Sequence, residues 1–249
     1  MIKKISLLCF FFFSPQIAFS SPKPAYVWNV VSDGIRYTSF FFDQTNLHAF
    51  EIDPTRVRLD VITASDAEKM GTTIEILKKR SNALLAINGG FFTQQHASIG
   101  LLIQSGKERN RLHKTSWWSI FSMEGDTPRI TEPSKYIPLS TTIMALQAGP
   151  RLVIKGIIPK LKEERAARSG IGITKEGKVI IAITEGAEIT MRTFAEAFVL
   201  SRWKGGFECE DAMNLDGGSS SQLFAEIGKF KLSIPGRSRI PNGIAVFAK

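Results

Sequence analysis

The sequence contains little cysteine: two residues in 249, Cys9 and Cys209. Cys9 lies in an N-terminal segment with the pattern of an export signal, in which two lysines precede an apolar run at residues 5–13 and a small-x-small triplet ends at Ser20. We expect residues 1–20 to be removed as a signal peptide, and the protein to be exported to a periplasm or secreted. Only Cys209 would then remain, so the mature core must be stable without an internal disulfide.

Long hydrophobic runs are also missing. The apolar run of the signal is shorter than the roughly 20 residues that cross a bilayer, and Pro15 interrupts its far end. We therefore predict no stable membrane insertion after signal cleavage, with an uncleaved anchor as the alternative.

Blocks of like charge are absent although the chain is basic. The formal net charge of +9 becomes +7 when the two lysines of the signal are removed. The basic residues are scattered, Lys160 and Lys162 among them, which is typical of a solvated surface and argues against nucleic acid as a partner. A basic exported protein attracts anionic glycans or phosphorylated sugars through its long-range field.

Several catalytic and metal-binding signatures are missing. The three histidines, His48, His96 and His113, have no HExxH or other paired metal spacing. The serines around Ser220 lack the G-x-S-x-G pattern of a serine hydrolase, and no EF-hand loop is present. No cofactor is required by the sequence and no metal site is predicted, although a divalent cation at Asp216 stays an open alternative.

What is present is a chain rich in short strands. β-Branched and aromatic runs separated by turn residues outnumber two helical patterns, at residues 71–82 and 193–205, and no repeat or linker divides the chain. Thr72 or Thr73 can cap the first helix, and residues 170–186 predict a β-hairpin with a Lys-Glu-Gly turn at 175–177. We predict an α+β fold, with a mostly antiparallel or mixed β-sheet core and a few flanking helices. The predicted organisation is a lead-in at residues 21–34 and a single domain at residues 35–249.

Two strands run directly into Asn or Asp and then paired glycines. These are Asn88-Gly89-Gly90 and Asp216-Gly217-Gly218, the second followed by Ser219. Paired glycines allow backbone to approach a ligand closely, and successive N–H groups form anion-binding nests. A tight turn is the alternative for either segment, but no hairpin needs the Asp and the serines that follow Leu215, so a binding or catalytic role is favoured there.

Three charged residues and a tryptophan pair are further candidates. Asp216 suits a base, nucleophile, transition-state stabiliser or metal ligand, with an Asx-turn as its structural alternative. Arg168, just before an apolar strand, suits bidentate phosphate binding or simple solvation. Glu185 is a second carboxylate at a strand end. Because neighbouring residues of a strand face opposite ways, at most one of Trp117 and Trp118 can stack on a sugar.

Taken in order, "AINGGFF", "SIGLLIQSGK", "GPRLVIKG", "ARSGIGI", "NLDGGSSSQL" and "RIPNGIAVF" resemble the phosphodiester glycosidase family, which includes the animal uncovering enzyme for N-acetylglucosamine-1-phosphodiesters. The resemblance implies an exported hydrolase that cleaves between a sugar's anomeric carbon and a phosphodiester. The family's site positions fall on Asn88, Arg168, Asp216 and Asn242. Relatives often carry Asp-Gly where this chain has Glu185-Gly186.

The resemblance and the residues together give a mechanistic hypothesis. Asp216, with Glu185 as second choice, would stabilise or trap an oxocarbenium-like carbon. Arg168 and the N–H groups of the two Gly-Gly pairs would bind phosphate, with Asn88 and Asn242 orienting sugar hydroxyls. The alternatives are a metal-dependent phosphodiesterase that cuts P–O and a non-catalytic envelope module that binds anionic glycans.

Overall fold

The computed structural model describes residues 25–68 and 70–249. The predicted signal peptide at residues 1–20 lies outside the described residues, as does the start of the predicted lead-in. In the described part of the chain, nineteen strands accompany two α-helices. Every pair of neighbouring strands is antiparallel. The expectation of a mostly antiparallel sheet protein with few helices is therefore confirmed.

The largest sheet has seven strands, and Arg168 and Asp216 lie just beyond the ends of two of them. Its strands, in spatial order, are β1 (Asn29–Ser32), β2 (Ile35–Phe42), β3 (Thr45–Ile52), β14 (Val179–Gly186), β13 (Ser169–Thr174), β16 (Cys209–Asn214) and β11 (Arg151–Val153). The predicted hairpin around Lys175 is present, with Ile173 opposite Val179 and Gly177 at φ 75° in its turn.

Two five-stranded sheets and one short ribbon complete the strands. One sheet contains β7 (Lys107–Asn110), β6 (Leu102–Gln104), β10 (Thr142–Ala148), β8 (Ser119–Glu124) and β9 (Thr127–Thr131). The other contains β18 (Phe230–Ile234), β17 (Leu223–Ile227), β5 (Leu85–Asn88), β19 (Asn242–Ala248) and β4 (Val57–Thr63). The ribbon pairs β12 (Arg165–Ala166) with β15 (Ile189–Thr190).

The three large sheets enclose one hydrophobic core. Phe50 of the seven-stranded sheet, Phe121 of the second sheet and Leu85 of the third are all fully buried in the same cluster. Strand β14 shows how the sequence divides its side chains: Ile181 and Ile183 enter this core, while the residues between them face the other side, as the period of a strand requires. Cys209 is a free buried thiol.

Two α-helices cover the outer faces of the sheets. Helix α1 (Ile74–Ser81) packs on the third sheet and begins at the predicted cap Thr73, whose hydroxyl accepts from the Ile76 N–H at 3.4 Å. Helix α2 (Met191–Val199) packs on the seven-stranded sheet and is capped by Thr190. Short 3₁₀ turns lie at residues 66–68, 133–135, 202–204 and 218–220.

The prediction that the second helix continues to Gly205 is wrong. Leu200 takes an extended backbone (φ −60°, ψ 155°), and a separate 3₁₀ turn ends at Gly205, whose φ is 80°. The break allows Phe207 to return and pack against Phe198, with ring centroids 6.1 Å apart. Within the described residues, no helix is both long and apolar enough to cross a membrane.

Candidate active site

A cleft of about 730 Å³ opens where the chain leaves β16. The charged and polar side chains that line it are Lys160, Lys162, Glu164, Arg168, Asn214 and Asp216. Phe91 and Trp117 add an aromatic wall. The cleft lies on the α2 side of the seven-stranded sheet, because Met191 at the start of α2 also lines it.

The backbone of Asp216 is held between two sheets. Its N–H donates to the carbonyl of Gly89 at 2.9 Å. Its carbonyl accepts from the Asn88 side-chain amide at 2.6 Å and from the Ser169 hydroxyl at 3.1 Å. Asn88 ends a strand of the third sheet and Ser169 begins a strand of the first, so contacts from both sheets fix where the Asp216 side chain starts.

The carboxyl group of Asp216 has an altered acidity. Burial raises the pKa of Asp216 from 3.8 to about 6, and hydrogen bonds from the Ser220 side chain and the Gly217 N–H oppose this rise only in part. A carboxyl group in a cleft with a pKa near neutrality is a candidate for catalysis. It can be ionised for nucleophilic or electrostatic work at neutral pH.

Arg168 lines the same cleft and is almost fully buried, at 4% exposure. Its Nε donates to the Ile189 carbonyl at 3.4 Å and its Nη2 to the Glu164 carbonyl. The guanidinium forms no salt bridge with any described residue, and burial lowers the pKa of Arg168, an effect that the more distant charges of Glu164 and Glu188 oppose. An arginine nevertheless stays charged at physiological pH. The cleft therefore contains a buried cation without a bonded counter-charge from the described chain.

The first Gly-Gly pair faces the protein interior. The Gly89 N–H donates to the Asn242 carbonyl at 3.0 Å, and the Gly90 N–H donates to the Asn242 side-chain oxygen at 2.8 Å. A Cβ on Gly89 would lie 2.1 Å from that oxygen, and one on Gly90 would lie 2.5 Å from the Gln147 carbonyl. Both glycines are thus required by close packing, and both N–H groups already have partners.

Asn88 and Asn242 are buried supports. The Asn88 side chain donates to Asp216 and accepts from the Gln222 N–H at 3.1 Å. The Asn242 amide nitrogen donates to the Ser98 hydroxyl at 2.8 Å. Neither side chain lines the cleft, so each acts on the site through the backbone that it positions.

The second Gly-Gly pair does line the cleft. The Gly218 N–H donates to the Ala167 carbonyl at 2.8 Å, and the Gly217 N–H is near enough to the Asp216 carboxyl group to lower its pKa. Gly218 has φ 61°, a left-handed conformation that favours glycine. Ser219 is exposed beyond the cleft lining, where its hydroxyl accepts from the Ser238 hydroxyl at 2.7 Å.

Glu185 lies outside the cleft. Its carboxylate is 2.9 Å from His48 Nε2, and His48 Nδ1 is 2.8 Å from the Tyr37 hydroxyl. Glu185 and Ile183 are two residues apart in β14, so their side chains lie on the same face of the sheet. That face is the one that covers the central core, because Ile183 packs there. Arg168 instead contacts Ile189 near the start of α2, so the sheet separates Glu185 from Arg168.

Of the tryptophan pair only Trp117 lines the cleft, and several other lining residues, among them Phe91, Lys160, Lys162 and Asn214, were not selected as site residues from the sequence. Trp117 is 56% exposed in the cleft, whereas Trp118 is buried. Both lie just before β8, and not within a strand as the sequence predicts. Lys160 and Lys162 lie in an irregular segment whose Leu161 packs against the α2 cluster. Phe91 directly follows the first Gly-Gly pair.

Within the described residues, no group of three His, Cys, Asp or Glu side chains is placed to hold a metal ion. The acidic residues of the cleft are Asp216 and the exposed Glu164.

Comparisons with known proteins identify the family. A family model described as phosphodiester glycosidase matches residues 81–247, more than half of the chain. The chain belongs to the phosphodiester glycosidase family. Among curated proteins, this family member is 24% identical over 157 residues to the uncharacterized protein YigE of Escherichia coli strain K12, covering 57% of this chain and 62% of the relative. The chain thus spans less than two thirds of that relative's length.

Solved structures share the fold of this phosphodiester glycosidase family member. The zebrafish N-acetylglucosamine-1-phosphodiester alpha-N-acetylglucosaminidase catalytic domain, auto-inhibited by its pro-peptide, superposes with a TM-score of 0.64 at 17% identity, covering 92% of this chain and 86% of that one. A hypothetical protein from Synechocystis superposes with a TM-score of 0.63 at 16% identity, covering 91% of this chain and 64% of that one. At these identities the likeness establishes the fold.

Proposed function

We propose that the protein is a hydrolase that cleaves the glycosidic bond of a sugar-1-phosphodiester, such as an N-acetylglucosamine-1-phosphodiester. The observation that carries the proposal is the buried guanidinium of Arg168, which has no salt-bridge partner among the described residues and lies in the same cleft as Asp216. An unpaired buried charge is costly. A bound phosphodiester would supply the missing negative charge, and the planar guanidinium suits phosphate geometry.

Lys160 and Lys162 add positive charge to the same cleft. We assign phosphate binding to Arg168 with these two lysines, because the N–H groups of Gly89, Gly90 and Gly218 already donate to partners within the protein. This is a change from the sequence-based hypothesis, in which backbone N–H groups supplied much of the phosphate binding. Two exposed lysines also steer an anionic substrate toward the cleft.

Asp216 is the carboxylate that we propose for the chemical step. The bond from the anomeric carbon to the phosphate oxygen breaks, and its electron pair leaves with the phosphate. The ionised carboxylate stabilises the oxocarbenium-like carbon, or bonds to it until water replaces it. Water then gives the sugar its anomeric hydroxyl and releases a proton. A phosphate monoester is a good leaving group, so strong general-acid assistance is less necessary.

The supporting residues hold Asp216 in position. Asn88 and Ser169 hold the Asp216 carbonyl. The Asp216 N–H donates to the Gly89 carbonyl, and Asn242 in turn holds the Gly89-Gly90 backbone. We propose that Asn88 and Asn242 are positioning residues. Trp117 and Phe91 offer the aromatic wall against which a sugar ring can stack.

Glu185 receives a different role from the one that the sequence suggested. Its carboxylate is bonded to His48 on the core face of the sheet, whereas Asp216 lies in the cleft on the α2 side. We propose that the Tyr37, His48 and Glu185 chain supports the end of the sheet and that the chemistry depends on Asp216.

Export is part of the proposal and depends on the signal pattern of residues 1–20. Secretion with cleavage after Ser20 would be seen as a mature protein that begins at Ser21 by intact mass. Retention of the full chain in the cytoplasm would overturn this part of the proposal.

The function is tested by product analysis on the purified protein with an N-acetylglucosamine-1-phosphomethyl diester, with and without a chelator. We expect free N-acetylglucosamine and methyl phosphate, formed equally well with the chelator and lost in Arg168→Ala. Sugar phosphate and methanol, or activity lost with the chelator, would favour the metal-dependent phosphodiesterase. Saturable binding without turnover would favour the glycan-binding module, for which exposed Trp117 beside two lysines is the supporting feature.

A further inference from the structure

One polar atom of the cleft is buried without a partner. Asn214 is 3% exposed and lines the cleft two residues before Asp216. Its amide nitrogen donates to the Leu215 carbonyl, but its side-chain oxygen, Oδ1, accepts from no described residue. Leaving a buried acceptor unsatisfied is unfavourable. A side chain held by one end with a free acceptor at the other suits a ligand that donates a hydrogen bond.

Gly217 keeps space open beside this amide. Its backbone angles, φ −98° and ψ −164°, are extended values that other residues adopt readily. A Cβ on Gly217 would lie 3.7 Å from Arg168 Nη1 and 3.8 Å from the Asn214 amide nitrogen, and 3.2 Å from the Ala167 carbonyl. The backbone conformation therefore does not demand glycine here. The absence of a side chain leaves room between the guanidinium and the amide.

The position of this space indicates which part of a substrate would enter it. Asn214 ends β16 and Asp216 follows it by two residues, and both line the cleft. In the proposed orientation of a sugar-1-phosphodiester, the anomeric carbon would lie next to the carboxylate of Asp216 and the phosphate next to Arg168. Of the two ring atoms bonded to the anomeric carbon, the ring oxygen has no hydrogen to donate, so the neighbouring donor is the substituent on C2.

We propose that Asn214 and Gly217 form a subsite that accepts a hydrogen bond from a donor on C2 of the sugar, a hydroxyl or an amide N–H. The inference rests on the proposed function for its substrate orientation. Asn214 is then a substrate-binding residue. The subsite selects sugars that carry a hydrogen-bond donor on C2 over 2-deoxy sugars. Hydrogen bonds to this substituent strengthen in glycosyl transfer, so part of the effect will fall on kcat.

The test compares Asn214→Leu with the unmodified protein on three phosphomethyl diesters, of N-acetylglucosamine, glucose and 2-deoxyglucose. The 2-deoxy sugar differs in intrinsic reactivity, but that difference cancels when the two proteins are compared on the same pair of substrates. We expect the preference for C2 donors, measured as a ratio of kcat/KM, to fall by about 10- to 100-fold in Asn214→Leu. The exposed Asn29→Leu is the matched control and should keep the preference.

A second variant tests the space. Gly217→Ala should still fold, with a small loss in Tm because its Cβ would lie 3.2 Å from the Ala167 carbonyl, and should weaken binding of the donor-bearing diesters by at least about 10-fold, since one methyl group fills the gap. Gly217→Ala with unaltered binding would overturn the proposed subsite. An equal loss on all three substrates in Asn214→Leu would also overturn it.

Calorimetric binding of the same diesters separates the subsite from the proposed function. Turnover with an unchanged preference in Asn214→Leu refutes the subsite and leaves the function standing. Binding without turnover, with the C2 preference lost in Asn214→Leu, refutes the hydrolase and leaves the subsite standing. Absence of both turnover and binding refutes both.

Discussion

Replacing Asp216 with asparagine is expected to stabilise the fold at neutral pH while it removes activity. Burial raises the pKa of this carboxyl group to about 6, so the folded protein binds its proton more tightly than the unfolded chain does. Below about pH 4 the carboxyl group is protonated in both states and costs nothing. As the pH rises through about 6, the wild-type fold must hold an ionised group in a partly desolvated place and loses stability.

The size of the effect follows from the shift. A rise from 3.8 to about 6 corresponds to an upper bound of about 3 kcal/mol. Asp216 keeps some exposure to water, and solvent screening reduces the value, so we expect a gain of about 1 to 2 kcal/mol for Asp216→Asn above pH 7. Asparagine is neutral at every pH and nearly the same shape, so the gain should vanish near pH 4.

Urea unfolding at several values between pH 4 and pH 8 measures this gain. The control is Asp33→Asn, which removes an exposed carboxylate paired only loosely with Arg56, at 3.6 Å, and should change stability little at any pH. If the gain in stability of Asp216→Asn does not vary with pH, or if the variant is less stable at pH 7, then the ionised Asp216 carboxylate does not destabilise the fold and the reasoning is refuted.

Three further predictions concern activity. The kcat/KM for the N-acetylglucosamine diester should fall below about pH 6 with a slope of one, because Asp216 must be ionised; a flat profile from pH 5 to 7 would contradict this role. Arg168→Ala should lower kcat/KM by at least about 100-fold. Arg168→Lys should recover part of this loss, since lysine keeps the charge without the planar fork. Equal activity in the wild type and both variants would exclude phosphate binding by Arg168. Glu185→Gln should cost less than about 10-fold in kcat, against at least about 100-fold for Asp216→Asn, and equal losses would restore Glu185 to the chemistry.

The sequence predicted those features of the fold that depend on local pattern. The Thr73 cap and the turn at Gly177 follow from residue chemistry over a few positions. The place of Asp216 beyond a buried strand also follows from the sequence, since apolar residues run directly into the Asp-Gly-Gly segment. The side chain of Ser220, which the sequence shows only as part of a serine run, lies near enough to the Asp216 carboxyl group to lower its pKa.

Features that depend on distant pairing could not be predicted in the same way. Asn242 lies 152 residues from Gly90. Only the pairing of β19 with β5, the strand that ends just before Gly89-Gly90, brings the Asn242 side-chain oxygen to the Gly90 N–H. The side chains of β14 are apolar on both faces, so the sequence contains no signal for the face on which Glu185 lies. Lys160 belongs to an irregular segment without periodicity, and its place in the cleft depends on how neighbouring residues pack.

The most direct test of the account is to hydrolyse the N-acetylglucosamine-1-phosphomethyl diester in ¹⁸O-labelled water. If Asp216 acts at the anomeric carbon, the label should appear in the anomeric hydroxyl of N-acetylglucosamine, and the methyl phosphate should contain none. Label in the methyl phosphate would show that the P–O bond is the one cleaved, and would contradict the assignment of Asp216 to a glycosyl-transfer step.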